Sequence, residues 1–358
     1  QHYQERDGAV TAAVEVAISL QSYWRLFGQS LEAKQLFASL APDVEQMGAT
    51  TLAARFHLGY SHSAWRTGDL PLAKSSARRA LELSEDLGEE RYRAEAENYL
   101  GLVAWHEGDL AEARARFETA RSVSEATGGA KTQGDALNNL GIVNWETGNL
   151  EDALESFFQS RQVRTKSQDI VGAAEATNNI AVILIQQGQF EKAAKRLSEA
   201  LALFEEAGNK ASAATTLLNL AVAYRRLGQL DLAWEHGERA RASMQEAGNA
   251  SEIGHTNLLF ARIYIQREQV AEATHQCLDA LEACAAGGYY RLLVEACEVL
   301  LEAFQLQFPA RAAALALGLW LDRTGNEHPS ADSAGSIKST WTKLPPGQEG
   351  ALKGWSGE

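Results

Sequence analysis

Cysteine, proline and long apolar runs are scarce in this sequence. It has 3 cysteines and 6 prolines among 358 residues. The cysteines are late and odd in number, at Cys277, Cys284 and Cys297. We interpret them as buried reduced thiols, with a metal or disulfide role as the alternative. No apolar run approaches the roughly 18 residues of a membrane span, and residues 1–20 lack the basic and apolar regions of a signal peptide.

Basic residues are also fewer than acidic ones. Lys and Arg number 33 against 47 Asp and Glu, which gives a formal net charge of −14. This balance argues against direct nucleic-acid contact by this segment and favours solubility. The sequence therefore predicts a soluble, cytoplasmic protein that does not bind a membrane. It begins with Gln1 rather than methionine, which is compatible with a fragment of a longer chain.

Catalytic and metal-binding motifs are missing as well. The sequence contains no G-x-x-x-x-G-K-[ST] phosphate loop and no G-x-S-x-G turn. His57 and His62 are five residues apart, which is not the spacing of about four that places two metal ligands on one helix face. We therefore predict no catalytic residue, no metal, no cofactor and no enzyme activity.

The abundant feature of the sequence is regularity, because it repeats every 40 residues. Alanine returns at Ala33, Ala73, Ala113, Ala153, Ala193, Ala233 and Ala273. Glycine returns at Gly28, Gly68, Gly108, Gly148, Gly188 and Gly228, and 20 residues later at Gly48, Gly88, Gly128, Gly208, Gly248 and Gly288, with Gln168 as the gap. A period of about 20–50 residues is typical of a repeat solenoid.

One repeat contains two predicted helices. Apolar residues at helical spacing predict the first helix over residues 91–107 and the second over 110–127. Gly108 and Gly128 end them, because glycine readily adopts the left-handed conformation of a helix terminus. Small residues recur where the helices must approach, at Ser61, Gly101, Gly141, Ala181, Ala221 and Ala261. We interpret this column, like the alanine column, as structural.

The spacing of Gly101, Gly108, Ala113, Phe117 and Ala120 resembles the tetratricopeptide repeat (TPR) motif, over about residues 10–308. That family's usual period is about 34 residues, so this chain is similar to the long-repeat branch found in kinesin light chains and bacterial signalling ATPases. The resemblance implies an all-α, right-handed superhelical solenoid of antiparallel helix pairs. It implies about seven repeats and a degenerate C-terminal capping pair.

The first repeat carries a second resemblance. Residues 22–28, read SYWRLFG, with LEA at 31–33, are similar to the start of the C-terminal repeat region of bacterial signal-transduction ATPase regulators of the maltose-regulon-activator type. This resemblance implies N-terminal ATPase or DNA-binding domains that are missing from the sequence. It also implies a sensing role for the segment present.

The repeat pattern decays near Glu268, where glycine is expected. We predict TPR repeats over residues 1–308, a C-terminal capping helix over 309–326, and a linker and tail over 327–358. Trp341 and Trp355 in the tail are predicted to fold back on the final helix.

The TPR family builds a concave groove from its first helices, and the resemblance places three tryptophans there. Trp65, Trp105 and Trp145 occupy the same position of consecutive repeats. The position three residues earlier is apolar in the middle repeats, at Leu102, Ile142, Val182 and Val222. An exposed aromatic wall of this kind is typical of a binding site. The alternative is that the rings only pack between neighbouring first helices.

Polar residues line the same predicted groove. Six asparagines can bond a peptide backbone or brace the helices, namely Asn98, Asn138, Asn139, Asn178, Asn179 and Asn219. Acidic residues follow in the middle repeats, at Glu95, Asp135 and Glu175, and arginines in later ones, at Arg225, Arg226 and Arg262. This polarity would orient a peptide with its acidic end at the arginines, unless the arginines only form surface pairs.

We therefore predict a module that binds a protein or peptide partner in the concave groove. It would be the sensing or regulatory part of a bacterial signalling or transcriptional regulator. Two alternatives remain at this point: a sensor of a small ligand stacked on the tryptophans, and an oligomerisation scaffold.

Overall fold

The structure is a computed structural model that describes residues 2–21, 23–24, 29–247, 250–287 and 290–307. This part of the chain forms 15 α-helices and no strand. They are α1 (His2–Ser19), α2 (Ser30–Val44), α3 (Thr51–Arg66), α4 (Leu70–Leu87), α5 (Glu90–His106), α6 (Leu110–Thr127), α7 (Ala130–Glu146), α8 (Leu150–Lys166), α9 (Ile170–Gln186), α10 (Phe190–Glu206), α11 (Lys210–Arg226), α12 (Leu230–Ala247), α13 (Ala250–Gln266), α14 (Val270–Gly287) and α15 (Tyr290–Gln307). The predicted all-α repeat fold is confirmed. The predicted capping helix 309–326 and the tail with Trp341 and Trp355 lie outside the described residues.

The chain divides into two compact units, residues 1–216 and 217–358. In the first unit the helices pack in pairs, α3 with α4, α5 with α6, α7 with α8, and α9 with α10. The first helices of these pairs, α3, α5, α7 and α9, also contact one another in turn. In the second unit α13 packs on both α14 and α15. The first helices of the first unit therefore form a shared face, on which the predicted tryptophans lie.

A short turn that depends on glycine joins the two helices of a repeat. After α5, Gly108 has a φ of 81°, and its N–H donates to the Trp105 carbonyl at 3.0 Å. The next N–H, of Asp109, donates to the Ala104 carbonyl at 2.9 Å, which completes a Schellman motif. The Asp109 carboxylate then accepts from the Glu112 N–H at 3.0 Å and caps α6. One helix thus ends and the next begins within about one turn of chain.

Two positions of the glycine column adopt the left-handed backbone without being glycine. Gln168 has a φ of 61° and Glu268 a φ of 59°. For a residue with a Cβ this conformation costs roughly 1–2 kcal/mol. The stacking of the repeats therefore imposes the turn even where the residue type opposes it.

Replacing Gln168 by glycine is expected to raise the free energy of unfolding by about 0.5–1 kcal/mol, because relief of backbone strain exceeds the extra unfolded-state entropy of glycine. The matched reverse change is Gly128→Gln, where φ is 72° and an added Cβ meets no atom within 4 Å. It should lower stability by a similar amount. Urea unfolding of both variants measures the two effects, and a Gln168→Gly protein no more stable than the parent would contradict the prediction.

The core is built from the two columns of small residues. The seven alanines of the alanine column are each at most 3% exposed. A Cβ added to Gly101 would lie 2.6 Å from Cε1 of Phe117, and one added to Gly141 would lie 2.5 Å from Cε1 of Phe157. Both phenylalanines are buried. The interpretation that these columns are structural is confirmed.

Cys277 is a buried thiol, as predicted, at the position where other repeats have Phe37, Phe117 and Phe157. It is a free thiol with 0% of its surface exposed. Burial raises the pKa of Cys277 to about 12. The thiol therefore stays protonated near neutral pH and belongs to the core.

Candidate functional site

The three predicted tryptophans lie near the ends of α3, α5 and α7, and each is half-buried. Each indole packs against a core cluster that its own repeat shares with the next one. The Nε1–H of Trp105 donates to Oε2 of Glu146 at 2.9 Å, and that of Trp145 donates to Oε1 of Gln186 at 2.9 Å. Each acceptor is 41 residues further along, on the next first helix. One edge of these rings therefore holds neighbouring repeats together, while part of each ring stays exposed.

For Trp65, the residue at the position equivalent to these acceptors is His106, 41 residues further along. The ring centroids of Trp65 and His106 are 5.7 Å apart, and those of His106 and Trp105 are 4.8 Å apart. Among the described residues the buried Nε1 of Trp65 has no hydrogen-bond partner. Burial lowers the pKa of His106, and the charge of Glu146 partly opposes this. His106 is therefore a neutral aromatic ring between two tryptophans near neutral pH.

Ring contacts continue from Trp65 towards the middle of its helix. His62 lies 6.2 Å from Trp65 and 5.8 Å from Tyr99, between ring centroids. We call the residues joined by these contacts the aromatic row: Tyr99, His62, Trp65, His106 and Trp105. The repeat spacing predicts its two tryptophans, Trp65 and Trp105, but does not indicate His62, His106 or Tyr99. The signal that could have found His106 is its position, 41 residues after Trp65.

The asparagines of α5, α7 and α9 form bonds between helices. The Asn139 Nδ2 donates to Oδ1 of Asn98 at 3.0 Å, and the Asn179 Nδ2 donates to Oδ1 of Asn138 at 2.9 Å. The spacing is again 41 residues. Asn98 is buried, and Asn178 is half-buried on the same helix as Asn179. These amides brace adjacent first helices, and each bond uses one of the two polar groups of each side chain.

The acidic residues of this face differ in their partners. Arg164, which is only 3% exposed, extends from α8 to Asp135 at 2.5 Å and to Glu175 at 3.0 Å. Lys131 lies 3.7 Å from Asp135. Arg164 also lies 3.8 Å from Asp169. Two of the three predicted carboxylates, Asp135 and Glu175, are therefore paired with cations of the protein itself.

Glu95 is the exception. It is half-buried, and the Tyr99 hydroxyl donates to its Oε1 at a long 3.4 Å. Burial raises the pKa of Glu95, and the charge of Asp135 raises it further, against the opposing charges of Lys131 and Arg91. A carboxylate in this state gains from a cation that approaches it.

Half-exposed apolar side chains complete the face. Leu102, Ile142 and Val182 occupy equivalent positions on α5, α7 and α9, three residues before Trp105, Trp145 and Ile185. The face therefore combines aromatic rings, aliphatic side chains and one incompletely paired carboxylate.

The three predicted arginines belong to the second unit, where Asn219 also lies half-buried on α11. Arg262 on α13 forms an ion pair with Glu295 at 2.7 Å. Arg225 is half-buried and Arg226 is exposed at the end of α11. Within the described helices, no group of three His, Cys, Asp or Glu side chains is placed to hold a metal ion. None of those helices is both long and apolar enough to cross a membrane.

The tetratricopeptide repeat family model matches residues 92–166 and 172–246. A search of the curated proteins finds no match to this chain. Among solved structures, the chain is similar to a Signal Transduction ATPase with Numerous Domains protein with a tetratricopeptide repeat sensor from Pyrococcus horikoshii, at 16% identity and a TM-score of 0.64, over 92% of this chain and 50% of that one.

Two further solved structures share the arrangement. The quorum sensor NprR from B. thuringiensis is 13% identical with a TM-score of 0.60, over 92% of each chain. A Rap protein complexed with Competence and Sporulation Factor is 15% identical with a TM-score of 0.54, over 84% of this chain and 98% of that one. These likenesses show the fold, an all-α helical solenoid of the tetratricopeptide type.

Proposed function

We propose that this chain is a regulatory module that binds a polypeptide partner, and that the partner lies along the first-helix face of the first unit. The observation that carries the proposal is the aromatic row, which continues without a break from α3 to α5 beside half-exposed Leu102. Trp65, Trp105 and Tyr99 are each half-buried, and partly exposed apolar side chains gathered on one face are typical of binding sites. The proposal is supported by the similar folds of a quorum sensor and of a sensor in a signalling ATPase.

The partner segment is proposed to carry apolar side chains and at least one basic side chain. The indole N–H groups of Trp105 and Trp145 are used by the next repeat, which leaves the ring faces for contact. Ring faces attract aliphatic groups and the cations of lysine and arginine. Glu95 lies on the same helix as Trp105, and among the described residues its carboxylate forms no ion pair and accepts one long hydrogen bond, from the Tyr99 hydroxyl at 3.4 Å. Charge complementarity therefore favours a basic segment.

Selection from a random peptide library on the immobilised protein tests this proposal. Recovered peptides are expected to be enriched in lysine or arginine next to leucine, phenylalanine or tryptophan. Truncation of a central aromatic residue typically costs ~2 kcal/mol or more in binding, so Trp105→Ala should weaken binding of the selected peptide by at least about 30-fold. Glu95→Gln, which keeps the side-chain shape, should weaken it by about tenfold.

Two controls separate binding from folding. Glu118→Gln removes an exposed carboxylate from α6, outside the proposed face, and should leave affinity unchanged. Thermal unfolding of Trp105→Ala measures how much the substitution lowers the stability of the fold. Because the ring is half-buried, this loss is expected to be smaller than the ~3–5 kcal/mol that truncation of a fully buried tryptophan costs. Full retention of peptide affinity in the folded fraction of Trp105→Ala would overturn the proposal. Selection of no peptide, with capture of a small molecule instead, would favour a small-ligand sensor.

We further infer that the module is the sensing part of a larger regulator. The support is the match to 50% of a signalling ATPase chain whose repeats are described as its sensor. The resemblance to the maltose-activator type stays a prediction. Reading the coding sequence upstream of Gln1 tests it, since an ATPase or DNA-binding domain there is the expected result.

A further inference from the structure

The first helix, α1, carries apolar side chains on a face that the fold leaves exposed. Helical hydrogen bonds continue beyond its last residue, because the Leu20 carbonyl accepts at 3.0 Å from the N–H four residues later. Val16 is 56% exposed, Leu20 37% and Tyr23 48%, and residues four and seven apart lie on one side of a helix. Two exposed alanines, four and seven residues before Val16, extend this line. We call these five residues the α1 stripe: Ala9, Ala12, Val16, Leu20 and Tyr23.

The positions equivalent to Val16, Leu20 and Tyr23 are buried in the following repeats. On α5, α7 and α9 the equivalent residues are each at most 7% exposed: Ala96, Leu100 and Val103, then Ala136, Leu140 and Val143, then Ala176, Ile180 and Ile183. The two larger ones of α7 cluster with Phe117 of α6, and the two larger ones of α9 cluster with Phe157 of α8. The second helix of the preceding repeat therefore covers this face. The α1 stripe continues the same packing surface by one helix, but α1 packs mainly on α2 and α3 among the described helices.

The sizes of the stripe residues favour a second copy of α1 as the covering helix. The stripe is symmetric in spacing about Val16, with residues four and seven positions away on either side. The two residues before Val16 are small and the two after it are large. In an antiparallel pair centred on Val16, Ala12 of one copy lies opposite Leu20 of the other, and Ala9 lies opposite Tyr23. Small residues opposite large ones interdigitate, and rows of residues four apart are the ridges by which helices pack.

Charge and area also fit a pair of identical helices. From residue 8 to residue 21 the only charged residue is Glu15, although the chain carries a net charge of −14, so two copies meet here with little repulsion. An 18-residue helix is about 27 Å long. A contact strip about 15 Å wide along it buries on the order of 400 Å² per copy, or about 800 Å² in total, which is the range of weak interfaces. We therefore expect reversible pairing with a Kd on the order of 10–100 μM.

We propose that two copies of this chain associate weakly through the α1 stripe, as an antiparallel pair of α1 helices with a two-fold axis at Val16. A two-fold axis repeats every contact, so one substitution changes two contacts of the pair. The α1 stripe lies on a different helix from the aromatic row, and this inference does not rest on the proposed function.

Sedimentation equilibrium of the whole chain from about 5 to 500 μM tests the proposal, and a monomer–dimer equilibrium is the expected result. Leu20→Glu and Ala12→Lys each set a charge against an apolar surface, and each should weaken the dimer by at least about tenfold. The double variant, Ala12→Lys with Leu20→Glu, brings opposite charges face to face in the antiparallel pair. It should therefore recover the parent affinity to within about threefold. A mixture of the two single variants should likewise form the mixed dimer in preference to either dimer of one variant.

The controls separate the α1 stripe from general stickiness and from unfolding. Leu232→Glu replaces a leucine of α12 that is 41% exposed, much like Leu20, and should leave the dimer unchanged. Thermal unfolding of the single variants should match the parent, because the replaced side chains are exposed. A protein that stays monomeric over the whole range would overturn the proposal, and slow hydrogen exchange in its α1 would then point to another segment of the chain on the stripe. Equal weakening by Leu232→Glu and Leu20→Glu, or a double variant no tighter than the single ones, would overturn it as well.

Discussion

Replacing Arg164 by alanine is expected to lower the free energy of unfolding by about 2–4 kcal/mol. Removing one partner of a buried ion pair typically costs about 3–5 kcal/mol. Here the carboxylates Asp135 and Glu175 are 31% and 44% exposed in their side chains, so they regain some hydration and the loss is smaller. The Arg164 Nε, which lacks an acceptor among the described residues, also limits the value of the network. Denaturant unfolding of the variant measures the effect.

Two matched variants separate the contributions of side-chain packing and of charge to the stability lost in Arg164→Ala. Arg164→Met keeps most of the side-chain volume in the space that Gly134 and Gly172 leave for it, where an added Cβ would meet Arg164 atoms at 2.7 Å and 2.0 Å. It should therefore recover the packing part of the loss but not the charge part. Lys166→Ala removes an exposed cation from the same helix and should change stability by less than about 0.5 kcal/mol. A loss of that small size in Arg164→Ala would contradict the prediction.

The fold could be predicted because its signals are local and repeated. The helix predicted over 91–107 is α5, Glu90–His106, and the one predicted over 110–127 is α6, Leu110–Thr127. Gly108 and Asp109 end one and start the other through bonds that span at most five residues. Conformations decided at so short a range follow directly from the residue types.

The contacts of the candidate site could not be predicted in the same way. A period of 40 residues suggests that equivalent residues meet, yet the bonds join residues 41 apart, as in Trp105 to Glu146 and Asn98 to Asn139. The one-residue offset is fixed by the packing of neighbouring first helices against one another, and the 40-residue period alone does not determine it. For the same reason His106 was not recognised as the neighbour of Trp65.

Arg164 was missed for a different reason. A charged residue on a second helix is normally read as surface, and here it is buried. The equivalent positions of other repeats hold the uncharged residues Ser84, Ser124 and Phe204. An arginine at this position therefore departs from the repeat pattern, which indicates a special role. A second signal is the presence of Gly134 and Gly172 inside predicted helices, where no turn requires glycine. They indicate that a large side chain packs against these helices.

The pair Gly141 and Phe157 is expected to be strongly coupled in stability. Adding a methyl group at Gly141 places it 2.5–2.8 Å from three atoms of the buried Phe157 ring. Overpacking of this kind costs typically 1–3 kcal/mol, which outweighs the gain of about 1 kcal/mol from placing alanine in a helix. Gly141→Ala should therefore lower the free energy of unfolding by up to about 2 kcal/mol. The same change at Gly8, which is exposed in α1 with nothing within 4 Å, should raise it instead.

A double-mutant cycle tests whether Phe157 is the cause of this loss. Phe157→Leu alone removes buried atoms and should cost about 1–2 kcal/mol. The double variant Gly141→Ala with Phe157→Leu recreates the pair that this chain already uses one repeat later, Ala181 with the fully buried Leu197. It should be more stable than the sum of the single losses by about 1–2 kcal/mol. Simple additivity would mean that the clash is relieved elsewhere, and that the small-residue column is not set by the ring it faces.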